Sequence, residues 1–171
     1  MSLLLILPMA ADVPERPART DGYGPVRFGM RAEHVLRLLG APAVLEEVCG
    51  GRRAVTFGGR DGARVYTAMA HVEHGRVVDI ELFVHGRDAT DTREQCLSDF
   101  DRVLALQQTR YRGYELLIEG GGSGWTREKS ARLRFADGSA VSVRSKYWVA
   151  GGTCYTYVTH LPPAGVQIAS R

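Results

Sequence analysis

The sequence predicts an α+β fold: an antiparallel β-sheet with two helices packed on one face, as one domain or as two similar helix-plus-sheet halves. Two stretches place apolar residues at helical spacing, and the rest of the chain is a series of short alternating runs broken by glycine-containing turns. The 171 residues, 44% hydrophobic and 24% charged, suit a single domain, and a chain of about 150 residues buries close to 70% of its unfolded surface. No metal or dense disulfide framework is needed at that size. Collagen-like, disordered and large multidomain classes are excluded. The net charge of +3, from 22 basic and 19 acidic residues, is too small for a nucleic-acid footprint without strong clustering. The basic complement is almost all arginine, with Lys129 and Lys146 the only lysines.

The run Leu3-Leu4-Leu5-Ile6-Leu7, ending at Met9-Ala10-Ala11, reads as the back half of a secretory signal peptide over 1–11. At roughly ten apolar residues it falls short of the about 20 that span a bilayer. No basic residues precede it, so a truncated leader and a buried strand are the two alternatives. No lipid-attachment cysteine follows, and the expected location is periplasmic or secreted, with no stable membrane insertion. Residues 12–22, with Pro14 and Pro17 and no apolar period, read as a linker. A first α+β half then spans 23–86 and a second 87–171.

In the first half, Val26 and Phe28 mark a short strand. Ala32, Val35, Leu36 and Leu39 make the apolar stripe of a helix, Gly40 stands at its C-terminal cap, and Pro42 prevents continuation. A strand over 54–57 and a Gly58-Gly59-Arg60-Asp61-Gly62 turn follow. Two longer strands, 65–72 and 77–84, are joined through His74-Gly75-Arg76. Pairing Val72 with Val78, Ala70 with Ile80, Ala68 with Leu82 and Tyr66 with Val84 puts all eight on one buried face. Thr67, Met69 and His71 then share the mixed opposite face with Phe83, Glu81 and Asp79.

In the second half, Asp91 and Glu94 have capping-box spacing. Cys96, Phe100, Val103, Leu104 and Gln107 form the stripe of the helix they open. Strands over 114–118, 131–135, 140–148 and 153–161 complete the chain. The order, strand, helix and three strands, then helix and four strands, suggests related halves, although no residue-level repeat supports duplication.

The stretch Val26-Arg27-Phe28-Gly29-Met30-Arg31-Ala32-Glu33-His34-Val35-Leu36-Arg37-Leu38-Leu39-Gly40-Ala41-Pro42 resembles the opening of small bacterial envelope modules. These are the β-lactamase-inhibitor-protein fold and the outer-membrane-assembly lipoproteins of the SmpA/OmlA type. The hairpin His71-Val72-Glu73-His74-Gly75-Arg76-Val77-Val78 looks like theirs as well, so the resemblance covers about residues 23–84. Arg31 departs from it, standing where the family has a Thr or Ser that caps the helix, a difference of about 1 kcal/mol. The resemblance implies binding, inhibition or assembly roles and carries over no catalytic residue.

Cys49, Cys96 and Cys154 are too few and too far apart for a zinc ribbon or a CxxC redox motif. In an oxidising compartment Cys96 and Cys154 are the candidate disulfide, because the second helix and the terminal strand should pack together. Three buried free thiols are the alternative. Of the five histidines, His71 and His74 are three apart on a strand, which points them to opposite faces and argues against a shared metal. His71 opposite Asp79 could be an acid–base pair in a cleft; an exposed cross-strand contact is the plainer reading. Ser123 in Gly120-Gly121-Gly122-Ser123-Gly124-Trp125 lacks the following helix of a nucleophile elbow. Trp125 is either a core anchor or a contact residue, the core being the first choice.

The last hairpin carries the candidate partner-binding surface. A three-residue Asp137-Gly138-Ser139 loop pairs Phe135 with Val141 and Leu133 with Val143, burying all four. Arg132, Arg134, Arg144 and Lys146 then share the other face, with Arg132 opposite Arg144, an unfavourable juxtaposition. Either Glu115, Glu119 and Glu128 balance these cations or an acidic protein does, with Trp125 and Tyr147 as aromatic anchors. The expected function is that of an exported, non-enzymatic protein-binding module, an inhibitor or immunity-type partner of a toxin or hydrolase, requiring no cofactor, metal or nucleic acid. An envelope-assembly accessory protein and a small hydrolase centred on His71 and Asp79 are the alternatives.

Overall fold

The computed structural model describes residues 17–48, 50–61, 64–84 and 92–164. The leader reading over 1–11, Cys49 and Asp91 therefore lie outside the described residues. In chain order the elements are β1 (Gly22–Tyr23), β2 (Val26–Arg27), α1 (Ala32–Leu39), β3 (Val44–Val48), β4 (Arg52–Asp61), β5 (Arg64–Glu73) and β6 (Arg76–Val84). Then come α2 (Arg93–Arg110), β7 (Tyr114–Gly122), β8 (Thr126–Phe135), β9 (Ala140–Trp148) and β10 (Thr153–Leu161). β1 and β2 pair with each other, and the other strands form one eight-stranded antiparallel sheet in the order β3-β4-β5-β6-β10-β9-β8-β7. The α+β antiparallel class is therefore as expected. Each helix is followed by a four-stranded meander, and the two meanders meet edge to edge at β6 and β10.

Cross-strand pairing runs Val55, Ala70, Ile80, His160, Val141 and Leu133 in one row through six strands. All six are buried. Directly opposed residues share a face, so this row marks the core side of the sheet. Ala32 and Val35 of α1 and Phe100, Val103 and Leu104 of α2 belong to the same apolar cluster.

Arg31 occupies the N-cap of α1 and makes no side-chain cap. The Gly75 carbonyl accepts the Ala32 amide at 3.0 Å, so the β5–β6 turn satisfies one of the free donors at the start of this helix. The capping box of α2 sits one residue later than expected: the Thr92 hydroxyl accepts the Gln95 amide at 3.3 Å, and the Gln95 side chain accepts the Thr92 amide at 2.7 Å. Cys96, Phe100, Val103, Leu104 and Gln107 are its buried residues. Cys96 and Cys154 lie at bonding distance, with Sγ atoms 2.12 Å and Cα atoms 5.6 Å apart, which ties α2 to β10.

Several sequence expectations are corrected. Residues 17–22 do not act as a linker: Thr20 is buried, and its hydroxyl lies 3.0 Å from His160 Nδ1 while the Pro17 carbonyl accepts the Arg112 amide. The polar side chains that suggested a linker serve here as hydrogen-bonding groups. β3 was not expected, because an edge strand half open to water carries no apolar alternation; its burial runs exposed and intermediate throughout. Gly58 and Gly59 belong to β4 rather than to a turn, paired with Thr67 and Tyr66. The Tyr66 ring lies so close over Gly59 that a Cβ there would sit 2.3 Å from the phenolic oxygen, and glycine in a strand often marks such an approach.

Three of the four expected β5–β6 pairs are present, but Val72 pairs with Val77 rather than Val78. A bulge beyond His71 accommodates a two-residue His74–Gly75 turn with both φ angles positive, at 49° and 75°. That turn matches the right-handed twist of the strands it joins, and Arg76 enters β6. At the other hairpin, Gly120 to Gly122 pair in β7 with Lys129, Glu128 and Arg127, which reduces the glycine-rich loop to a tight turn around Gly124 and Trp125.

Candidate functional site

Four of the cross-strand ranks on the face opposite the core row form the site. Arg132 on β8, Ser142 on β9, Thr159 on β10 and Glu81 on β6 form the first. Ser130, Arg144, Tyr157 and Phe83 form the second. Glu128, Lys146 and Tyr155 form the third, and Thr126, Trp148 and Thr153 the fourth. Strand alternation, together with the antiparallel register of β8, β9, β10 and β6, fixes which side chains share this face.

The β8–β9 register differs from the expected one by two residues. Leu133 pairs with Val141 and Ala131 with Val143, and Phe135 donates its amide to the Ser139 carbonyl at 2.9 Å. The Asp137 carboxylate accepts both the Ser139 amide, at 2.9 Å, and the Ser139 hydroxyl, at 2.6 Å, which fixes the tight turn. A slip of two preserves the faces, so Arg132, Arg134, Arg144 and Lys146 still share one side. Arg132 now stands opposite Ser142, Arg144 opposite Ser130 and Lys146 opposite Glu128, and the like-charge opposition disappears.

The cations divide into two kinds. Arg134 is paired with Glu115, and Arg144 Nε lies 3.1 Å from Glu128. Arg132 has no ion-pair or hydrogen-bond partner for its guanidinium among the described residues. Lys146 places its ammonium 4.9 Å from the centre of the Trp148 ring. A pocket of about 420 Å³ opens between them, lined by Arg132, Arg144, Lys146, Ser142, Tyr157 and Thr159, with Glu81 and Glu128 at its sides and Leu161 at one end.

Aromatic side chains border the charge. Phe83 meets Tyr157 and Tyr155 at centroid distances of 5.3 and 5.7 Å, and the two tyrosines stack 6.4 Å apart. Burial, followed by the Glu81 carboxylate and Tyr155, pushes the Tyr157 phenol above its ordinary pKa, so it faces the pocket as a neutral hydroxyl.

The other named candidates fall elsewhere. Tyr147 sits on the core side, between Cys154 and Arg127 in the pairing, and does not join Arg144 and Lys146. Trp125 is 71% exposed at the tip of the β7–β8 turn, so the core-anchor expectation fails; its backbone is occupied by the Val149 amide and its ring is left to solvent. Trp148 stands near it at the same end of the sheet, since the Val149 amide reaches the Trp125 carbonyl at 3.0 Å.

His71 is buried rather than an exposed contact. Its Nε2 lies 3.4 Å from Glu81 and 3.7 Å from Asp79, and Asp79 also binds Arg52 at 2.8 Å. The imidazole is therefore shared between two carboxylates. Sequence reasoning placed Phe83 on this face but missed Trp148, Tyr155 and Tyr157 as part of the site. The Tyr155-x-Tyr157 alternation was the available signal.

Compared with known proteins, the chain matches no family model, no curated protein and no solved structure.

Proposed function

We propose that the chain is an exported, non-enzymatic protein-binding module, an inhibitor or immunity-type protein that docks an acidic toxin or hydrolase on the open face of its sheet. One observation carries the reading: Trp148, Tyr155, Tyr157 and Phe83 lie on the same part-exposed face as Arg132, Arg144 and Lys146. Tryptophan, tyrosine and arginine are the side chains in which binding energy concentrates. Strands hold them at fixed spacing, so little ordering is needed on association.

In this reading both helices cover the side of Val55, Ala70 and Leu133, and the ranks of aromatic and basic residues are left for a partner. The halves 23–86 and 87–171 each supply one helix and one meander to that arrangement. The resemblance of residues 23–84 to envelope inhibitor and assembly modules favours the same class. Bonding distance between Cys96 and Cys154 agrees with an oxidising, periplasmic or extracellular location.

The test is affinity capture from an envelope extract, run in parallel with the wild-type chain and with the double variant Tyr157→Ser/Trp148→Ser, each checked for a native melting transition. A protein held by the wild type and released by the variant, with a measurable Kd, is the expected result. Equal retention by both, or retention by neither, overturns the reading.

A further inference from the structure

The pocket on the open face has more binding capacity for a carboxylate than the chain itself uses. Glu128 is engaged by Arg144, and Glu81 lies 3.4 Å from His71 Nε2. Arg132, directly across from Ser142, and Thr159, directly across from Ser142 on the other side, complete a row of donors. Neither hydroxyl, nor the Arg132 guanidinium, has a side-chain hydrogen bond among the described residues. Lys146 adds a cation whose only close partner among the described residues is the Trp148 ring.

We infer that this pocket is a subsite for one carboxylate side chain, a Glu or Asp carried on a protruding loop of the protein partner. The concavity, about 420 Å³, has room for a side chain that projects from a loop tip. Arg132 offers a planar fork that matches a carboxylate bidentately, Ser142 and Thr159 supply neutral donors, and Tyr157 closes one wall. Glu81 and Glu128 flank the subsite and exclude a second negative group, so the site selects a single isolated charge over an acidic run. This rests on the protein-binding reading of the face, and it fixes the chemistry that the partner must present there.

The experiment reads the pocket without needing the partner. The full chain, labelled with ¹⁵N, is titrated with the capped peptides acetyl-Gly-Glu-Gly-amide and acetyl-Gly-Gln-Gly-amide and, separately, with inorganic phosphate. Saturable shifts at Arg132, Ser142, Arg144 and Thr159, at least about tenfold tighter for the Glu peptide than for the Gln peptide, are expected. They should vanish in Arg132→Gln and persist in Arg134→Gln, whose cation is already paired with Glu115. Equal response to both peptides, no saturable response, or an unchanged response in Arg132→Gln overturns the inference. Phosphate binding tighter than the Glu peptide at the same residues also overturns it, in favour of a phosphate site. A negative peptide result alongside a partner captured through Tyr157 and Trp148 would remove the subsite and leave the binding face standing.

Discussion

The Lys146 ammonium lies 4.9 Å from the centre of the Trp148 ring, and this contact joins the charged pocket to the aromatic end of the sheet. Trp148 is 43% exposed, so the cation–π attraction is a surface term of about 0.5–1 kcal/mol. Its larger consequence is positional: the contact keeps the ring beside Lys146 on the open face. Trp148→Ala should leave the melting temperature within about 2 °C while weakening capture of the partner at least about tenfold, as loss of a central aromatic does in other interfaces. Parallel calorimetric melting and surface-binding measurements check both halves of the statement.

Charge on this face should steer association as well as hold the complex. Arg132→Glu adds a carboxylate beside Glu81 and Glu128 without breaking an existing ion pair, whereas reversal of Arg134 or Arg144 also frees Glu115 or Glu128. The single variant should slow the association rate by about tenfold at low ionic strength, with the difference from wild type shrinking toward 0.5 M salt as screening shortens the range of the field. Stopped-flow or biosensor association rates over a salt series are the measurement.

Cys96 and Cys154 are separated by 58 residues in sequence, and closing a loop of that length removes a large share of unfolded-state entropy. Reduction, or the pair of substitutions Cys96→Ser and Cys154→Ser, should cost about 2–5 kcal/mol. Non-reducing peptide mapping should recover the two cysteines in one cross-linked fragment. Quantitative alkylation of both without reductant would show them to be free thiols.

His160 supplies the expected acid sensitivity. It is buried, and desolvation first and the Arg110 charge second push its pKa from 6.5 down to about 3. Between those values the unfolded chain binds a proton that the folded chain refuses. This contribution to stability is therefore complete above pH 6.5 and falls as the pH drops, by at most about 1.4 kcal/mol per pH unit. Urea unfolding should show the loss between pH 6.5 and pH 5, and the His160 ring protons should show no titration by NMR above pH 5. An imidazole that titrates near 6.5 in the folded chain would contradict the assignment.

The sequence determined which side chains share a face where helical or strand periodicity is clear. The apolar stripe of α2, from Cys96 to Gln107, was legible because helical spacing selects one face whatever lies against it. The face shared by Arg132, Arg134, Arg144 and Lys146 was equally legible, because a two-residue slip in β8–β9 register leaves side-chain alternation unchanged. The Cys96–Cys154 pair followed from the packing of a helix on a strand. Tertiary structure decided the rest. The order of strands, with β6 beside β10, rests on long-range pairing that carries no local signal, and it alone sets Phe83 next to Tyr155 and Tyr157. The burial of Thr20 and His71 depends on partners 140 residues away for the first and on neighbouring strands for the second. Which cation stays unpaired, Arg132 and not Arg134, was settled by the β7–β8 register, which sets Arg134 across from Glu115 and Arg132 across from Leu117.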